Sequence, residues 1–324
     1  MIIRVNHIKS AGKLLIILTC FFIALFFSLN CSTQKPTESE TYEFNFNYDD
    51  YNIIDLETSD RWYNWMYPIG FELDFPHDDE GIILSYWNNE YHYHPWEVSY
   101  KALWYLAGYQ QTLDEGYLDF VYRYARKLAE IGIRQNDGIY LPYTFDYALH
   151  NGNENEVMLA PWPSGLAQGT ALSFFSRAYE TTNDPYLKGI ADSLFNTFLA
   201  LESESEIWTV YVDSMDYYWI EEYPFSPKTG VLNGYLTAIF GLYDYYLITH
   251  EDQCKILFEA SCTTMAKYLN EFRNPGGVSY YCLLHLSPLL DYHRLVMLQL
   301  RQMTEITSDP YFSAFADTLE SDHN

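Results

Sequence analysis

Two stretches of this chain are versions of one another. Residues 180–194 read ETTNDPYLKGIADSL and residues 305–319 read EITSDPYFSAFADTL, an offset of 125 positions. In each, an apolar-periodic run ends in a short polar turn, and an aspartate then precedes a proline. The aspartate side chain is placed to cap a new helix, and proline falls in the first helical turn, where its missing N–H costs nothing. Each copy is therefore a helix hairpin. Weaker relatives stand at QTLDEGYLDF and ITHEDQCKILF, so the hairpin recurs about four times. A unit of this kind buries its apolar face only against its neighbours. Stacking gives either an open superhelix or a ring of helix pairs. The fold expected is mainly α, an incomplete α/α toroid of helix hairpins, with a small N-terminal β element.

The helical period begins close to His94, after which Val98, Ala102, Leu106 and Tyr109 are spaced by four, four and three. Upstream, the alternation in YEFNFNYDDYN and the compact apolar run in GIILSYW suggest a few strands. At the N-terminus Arg4, Lys9 and Lys13 precede an apolar run over residues 14–29, the charge-then-apolar order of an export signal. About 16 apolar residues is short for a spanning helix, which needs roughly 20. Cys31 follows directly, and SLNC before the polar STQKPTESE resembles a bacterial lipoprotein signal, which implies lipidation at Cys31. An uncleaved signal anchor is the alternative. The expected organisation is a signal segment (1–30), a polar tether (31–42), a small β-rich region (43–90) and a toroid domain (91–324). The chain is expected to be exported and membrane-anchored, on the periplasmic or cell-surface face.

A formal net charge of −26 makes nucleic acid an improbable partner. The 32 Tyr, 20 Phe and 8 Trp suit stacking on sugar rings as well as filling a core. Cys254, Cys262 and Cys282 lack the paired spacing of zinc or redox motifs, and Cys254 and Cys262 share one helical face as small buried hydrophobes. His92, His94, His285 and His293 form no metal spacing, so no catalytic metal and no cofactor are expected. Acidic pairs beginning at Asp49 and Asp78 leave a structural cation open. The oligomeric state is not set by the sequence; a homodimer is the assembly considered.

Four polar and aromatic clusters stand at helix ends or loops: APWPSGLAQG (160–169), IEEYP (220–224), GGVSYYCLLH (276–285) and LDYHR (290–294). Their order resembles the C-terminal domain of D-glucuronyl C5-epimerases. The resemblance rests on EEYP (221–224), VLNG (231–234), GLYD (241–244), SGLAQG (164–169) followed by RAY (177–179), and DYH (291–293).

The resemblance implies that Glu222 and Tyr223 match the family's catalytic glutamate and tyrosine. It implies that Tyr281 matches the tyrosine of its YDLRH segment and Tyr292 the one in DYH. Gln168, Asn233, His285, His293 and Arg294 are the expected substrate contacts. Where the family reads YDLRH this chain reads YCLLH, so Leu284 stands in place of an arginine, and Arg294 is the substitute considered. With Arg177, Lys228 and Arg301 it would make the cleft locally positive. The implied reaction is C5-epimerisation of D-glucuronate to L-iduronate within a uronate-containing polysaccharide such as heparosan. Removing the C5 hydrogen, alpha to a carboxylate, needs a base, and inversion needs a proton from the other face. The rival classes are a polysaccharide lyase, which begins with the same step, and a non-catalytic glycan-binding surface lipoprotein.

Overall fold

The computed structural model describes residues 45–323. The signal segment, the tether and Cys31 lie outside them. Four helix hairpins follow one another: α1 (Pro95–Thr112) with α2 (Glu115–Ile131), α4 (Gly165–Thr182) with α5 (Pro185–Phe195), α6 (Leu232–Thr249) with α7 (Asp252–Tyr268), and α8 (Leu290–Thr307) with α9 (Pro310–His323). A single turn, α3 (Leu149–Gly152), lies between the first two.

The hairpin turns repeat one local solution. Each first helix ends on a residue in the left-handed region, namely Leu113, Asn183, His250 and Ser308, with φ between 52° and 57°. An acidic residue follows each time. Asp114, Asp184 and Asp309 accept from the backbone N–H two residues on, at 2.8–2.9 Å, and so cap the next helix. The turn is therefore only two residues long, and the paired helices are forced antiparallel.

Helices α1, α4, α6 and α8 pack side by side in that order as the inner layer, and α2, α5, α7 and α9 cover them from outside. Burial follows position: α6 is buried continuously from Leu232 to Tyr245, whereas α2 buries one stripe of Tyr117, Val121, Tyr124, Ala125 and Leu128. The closest approach in the inner layer is between α4 and α6. A Cβ on Gly169 would lie 2.4 Å from the Ala238 Cα, and one on Gly241 would lie 2.3 Å from the Gly169 carbonyl oxygen, so both positions require glycine.

The connections from an outer helix back to an inner one are long, and the first two carry antiparallel hairpins. They are β3 (Ile133–Gln135) with β4 (Gly138–Tyr140), β5 (Tyr147–Ala148) with β6 (Val157–Met158), and β7 (Val210–Val212) with β8 (Tyr218–Ile220). All reach the N-terminal ends of the inner helices, while the tight turns lie at the other end. One rim of the ring is thereby furnished with loops.

The N-terminal β element is the hairpin of β1 (Ser85–Trp87) and β2 (Glu90–His92), paired from Ser85↔His92 to Trp87↔Glu90. The alternation farther upstream does not make a strand. Residues 47–51 run as extended chain whose alternate N–H groups bond to the Asp216 carbonyl, Thr263 Oγ1 and Glu259 Oε1. Alternation records which N–H groups face a partner, and here the partners are a loop and α7. Asp78, considered for a cation, has its oxygens taken by the Glu80 and Ile82 N–H groups and the Tyr93 hydroxyl.

Residues 58–66 lie across the middle of the ring and touch every inner helix. The Asp60 carbonyl accepts from Gln302 of α8, and Trp62 stacks on Phe240 of α6 at 5.0 Å. Tyr63 reaches Thr170 of α4, and Trp65 donates to the Tyr100 hydroxyl of α1. Arg61 holds Glu180 through two bonds of 2.9 Å. The segment is a plug that floors the space enclosed by the inner helices.

Candidate active site

Between that floor and the looped rim lies a cavity of about 400 Å³. One side is built by Glu222 and Tyr223, which follow β8. Pairing of β8 with β7, and the bonds of Glu221 N–H to the Thr209 carbonyl (2.7 Å) and of Gly165 N–H to the Glu221 carbonyl (2.8 Å), fix where the chain emerges. Extended backbone then sends the two adjacent carboxylates opposite ways. Glu221 turns to the loop ahead of α6, where Thr229 Oγ1 donates at 2.7 Å and Gly230 N–H at 3.2 Å. Glu222 turns into the cavity.

Glu222 is 5% exposed and lies against the first turn of α6. A Cβ on Gly234 would fall 2.1 Å from its Oε2, so the glycine of VLNG is the seat of this carboxyl. Its Oε1 accepts from the Tyr281 hydroxyl at 3.3 Å, and that hydroxyl lies 3.4 Å from the Tyr223 hydroxyl. Tyr281 is held by backbone bonds of its own N–H to the Ser287 carbonyl and of Leu232 N–H to its carbonyl. Tyr292, on the first turn of α8 and 40% exposed, brings its ring to 4.7 Å from that of Tyr281. The four residues named from sequence therefore meet at one place.

Burial pushes Glu222 up to about 7, against the opposing effect of the Tyr223 and Tyr281 phenols. Glu221 is also pushed up to about 7 by burial. Burial, and next the neighbouring Glu222 charge, hold the Tyr223, Tyr281 and Tyr292 phenols above their ordinary range. At neutral pH these phenols are donors, and Glu222 is the group poised to change charge.

Apart from Trp162, which lies in the 160–169 cluster, the facing wall was not named from sequence. His94, Trp96, Glu97 and Tyr100 come from the start of α1, Trp87 from β1, and Tyr143, Tyr147 and Trp162 from the loops before α4. The rings brace one another: Trp87 lies flat on Phe145 at 4.9 Å, Tyr143 on Trp162 at 4.1 Å, and Tyr147 on Tyr223 at 5.7 Å. Burial lowers the affinity of His94 for a proton, with the Glu97 charge opposing. The available signal was the run HYHPWE, whose proline opens a helix and so presents its neighbours at the rim.

Among the expected substrate contacts only Asn233 lines the cavity. Its side-chain oxygen is buried and meets no hydrogen-bond donor among the described residues. Gln168 is a structural clamp: its amide bonds Leu141 N–H, the Ile139 carbonyl and Thr197 Oγ1, all in the core. His293 is buried behind Tyr292, with its Nδ1 against the Ser279 hydroxyl at 2.9 Å. His285 lies outside the wall, its Nε2 2.9 Å from Glu156. Arg294 is exposed and does not line the cavity.

The expected local positive charge is also absent from the wall, because acidic partners hold those cations elsewhere. Arg177 is bonded to Asp244, Lys228 to Glu202, and Arg301 to Asp317 and Glu320. Among the described residues no lysine or arginine lines the cavity.

The chain is 31% identical over 140 residues to the D-glucuronyl C5-epimerase of Caenorhabditis elegans, covering 43% of this chain and 21% of that protein. It is 26% identical over 186 residues to an uncharacterised protein of Methanocaldococcus jannaschii, covering 55% and 57% of the two. It thus spans well under two thirds of either relative. The cellobiose 2-epimerase of Bacillus thermoamylovorans superposes with a TM-score of 0.52 at 13% identity, over 77% of this chain and 66% of that one, a likeness of fold. The family described as D-glucuronyl C5-epimerase C-terminus matches residues 135–321, which include β8, Glu222, Tyr223, Tyr281 and Tyr292. This chain belongs to that family.

Proposed function

We propose that the protein is an isomerase that epimerises D-glucuronate residues at C5, giving L-iduronate, within a uronate-containing polysaccharide. The observation that carries this reading is the Glu222 carboxyl bonded to the Tyr281 hydroxyl at 3.3 Å, with the Tyr223 hydroxyl 3.4 Å from that of Tyr281, beside a ring-walled cavity. Ionised Glu222 takes the C5 proton. The electron pair moves into the adjacent carboxylate to give an enediolate, and a neutral phenol, assigned to Tyr292 on α8, returns a proton to C5, which inverts the centre when the proton arrives on the face away from Glu222. Neither the glycosidic bond nor the oxidation level changes. With no lysine or arginine on the described wall, the charge growing on the substrate carboxylate is met by the phenol donors and the Asn233 amide.

The test is incubation with heparosan in D₂O, followed by NMR at C5 and sizing of the chain. Deuterium at C5 in chains of unchanged length is the expected result. Shortened chains with a new ultraviolet-absorbing double bond would identify a lyase, and neither change would leave only a binding protein. Gly234→Ala should depress the same exchange by placing a methyl where the Glu222 carboxyl lies, since a shift of about 1 Å costs on the order of 10²-fold. Helix propensity would meanwhile favour alanine by roughly 0.5–1 kcal/mol. A variant with normal exchange would show that the carboxyl needs no fixed seat.

A further inference from the structure

The aromatic wall does not stop at the cavity. Trp96, Tyr100 and Trp104 are spaced four apart on α1 and so stand on one face, spanning about 12 Å along the helix axis. Trp96 and Tyr100 are stacked at 5.1 Å, and Tyr100 meets Trp104 edge-on at 6.4 Å. Trp104 in turn meets Tyr67 edge-on at 5.0 Å. From the plug, Trp65 is bonded to the Tyr100 hydroxyl and meets the buried Trp62 at 4.7 Å. Trp62, Trp65, Trp96 and Tyr100 line the cavity, whereas Trp104 and Tyr67 lie beyond it. Exposure rises outward, from 6% at Trp62 through 42% at Trp65 to 61% at Tyr67. This row runs along α1, one of the two ends of the inner layer among the described residues.

We propose that this row is a second glycan subsite, which holds the uncharged sugar residues flanking the uronate in the cavity. It rests on the function proposed above only for the identity of the polymer. The rings turn successive faces and edges, as an extended sugar chain with alternating C–H faces requires, and each Trp and Tyr keeps a polar edge for hydroxyl groups. Recognition through π faces also suits an acidic protein, because it needs no cation and favours the neutral members of a polymer that alternates charged and uncharged units. The row is continuous with the cavity, so a chain bound along it delivers its next residue to Glu222.

The test compares binding of a heparosan tetrasaccharide and dodecasaccharide by calorimetry, using wild type, Trp104→Ala and Tyr67→Ala, with Trp104→Phe as the conservative variant and thermal melts as a check on folding. Each alanine variant should bind the dodecasaccharide about three- to tenfold more weakly and the tetrasaccharide as wild type does, with Trp104→Phe restoring most of the loss. Equal weakening for both lengths, or none for either, would overturn the subsite. So would a change from dimer to monomer on sedimentation, which would make the row an interface between copies. A length-dependent loss in a protein that exchanges no C5 hydrogen would uphold the subsite and remove the epimerase reading, whereas exchange with length-independent binding would do the reverse.

Discussion

Glu222→Gln is expected to lower C5 hydrogen exchange by about 10²- to 10⁴-fold, the range typical of a lost general base. The amide keeps the shape of the carboxyl on Gly234 and still offers an oxygen to Tyr281, so melting and glycan binding should change little. In the wild type the base form is scarce below about 7, because burial raises Glu222 to that value. Exchange should therefore climb with pH through about 7 and then level. Glu221, also near 7 and next in the chain, titrates with it, and the observed midpoint belongs to the pair. Exchange in Glu222→Gln at the wild-type rate, with an unaltered pH profile, would remove this residue from the chemistry.

Asp244→Ala should destabilise the fold more than any change in the cavity. Asp244 is fully enclosed, accepts from Arg177 Nε at 2.8 Å and lies 3.6 Å from Arg61. Arg61 would retain Glu180, but Arg177 would be left as an uncompensated buried cation. Removing one partner of such a pair costs about 3–5 kcal/mol, read as a shift of the urea midpoint. Replacing both members, as in Arg177→Met with Asp244→Leu, should recover much of that loss, because no charge then remains buried alone. A midpoint shift in Asp244→Ala equivalent to less than about 1 kcal/mol would show that this pair does not hold the ring together.

The turns of the hairpins were legible because they are local: an αL residue, an acidic cap and a proline need only their neighbours in sequence. The convergence of Glu222, Tyr223, Tyr281 and Tyr292 was legible only through resemblance, since no period links positions so far apart. Much of what carries that resemblance proves to be packing. Gly169 and Gly241 let α4 meet α6, Gly234 seats Glu222, and the arginine of RAY pairs with the aspartate of GLYD. Gln168 and His293 were misassigned for the same reason, because a polar residue within a motif looks alike whether it faces a cavity or clamps a core. The rings of the opposite wall escaped notice in a chain with 32 tyrosines, where one more aromatic carries little information.

The plug has a bearing on how the protein comes to be folded. Gln302 reaches the Asp60 carbonyl across 242 positions, and Ile54 reaches the Ile306 carbonyl across a similar gap. Each hairpin can form early from its own contacts, but these closures wait until nearly the whole chain has been made, and long-range contacts of this kind slow folding. The entropy of closing so long a loop grows only with the logarithm of its length, about 0.6 kcal/mol per doubling, so the burden falls on rate more than on final stability. Residues 135–321 taken alone would lack the floor, α1 and half of the ring-bearing wall. The family's boundaries in sequence are thus narrower than the smallest piece of this chain that could assemble its own cavity.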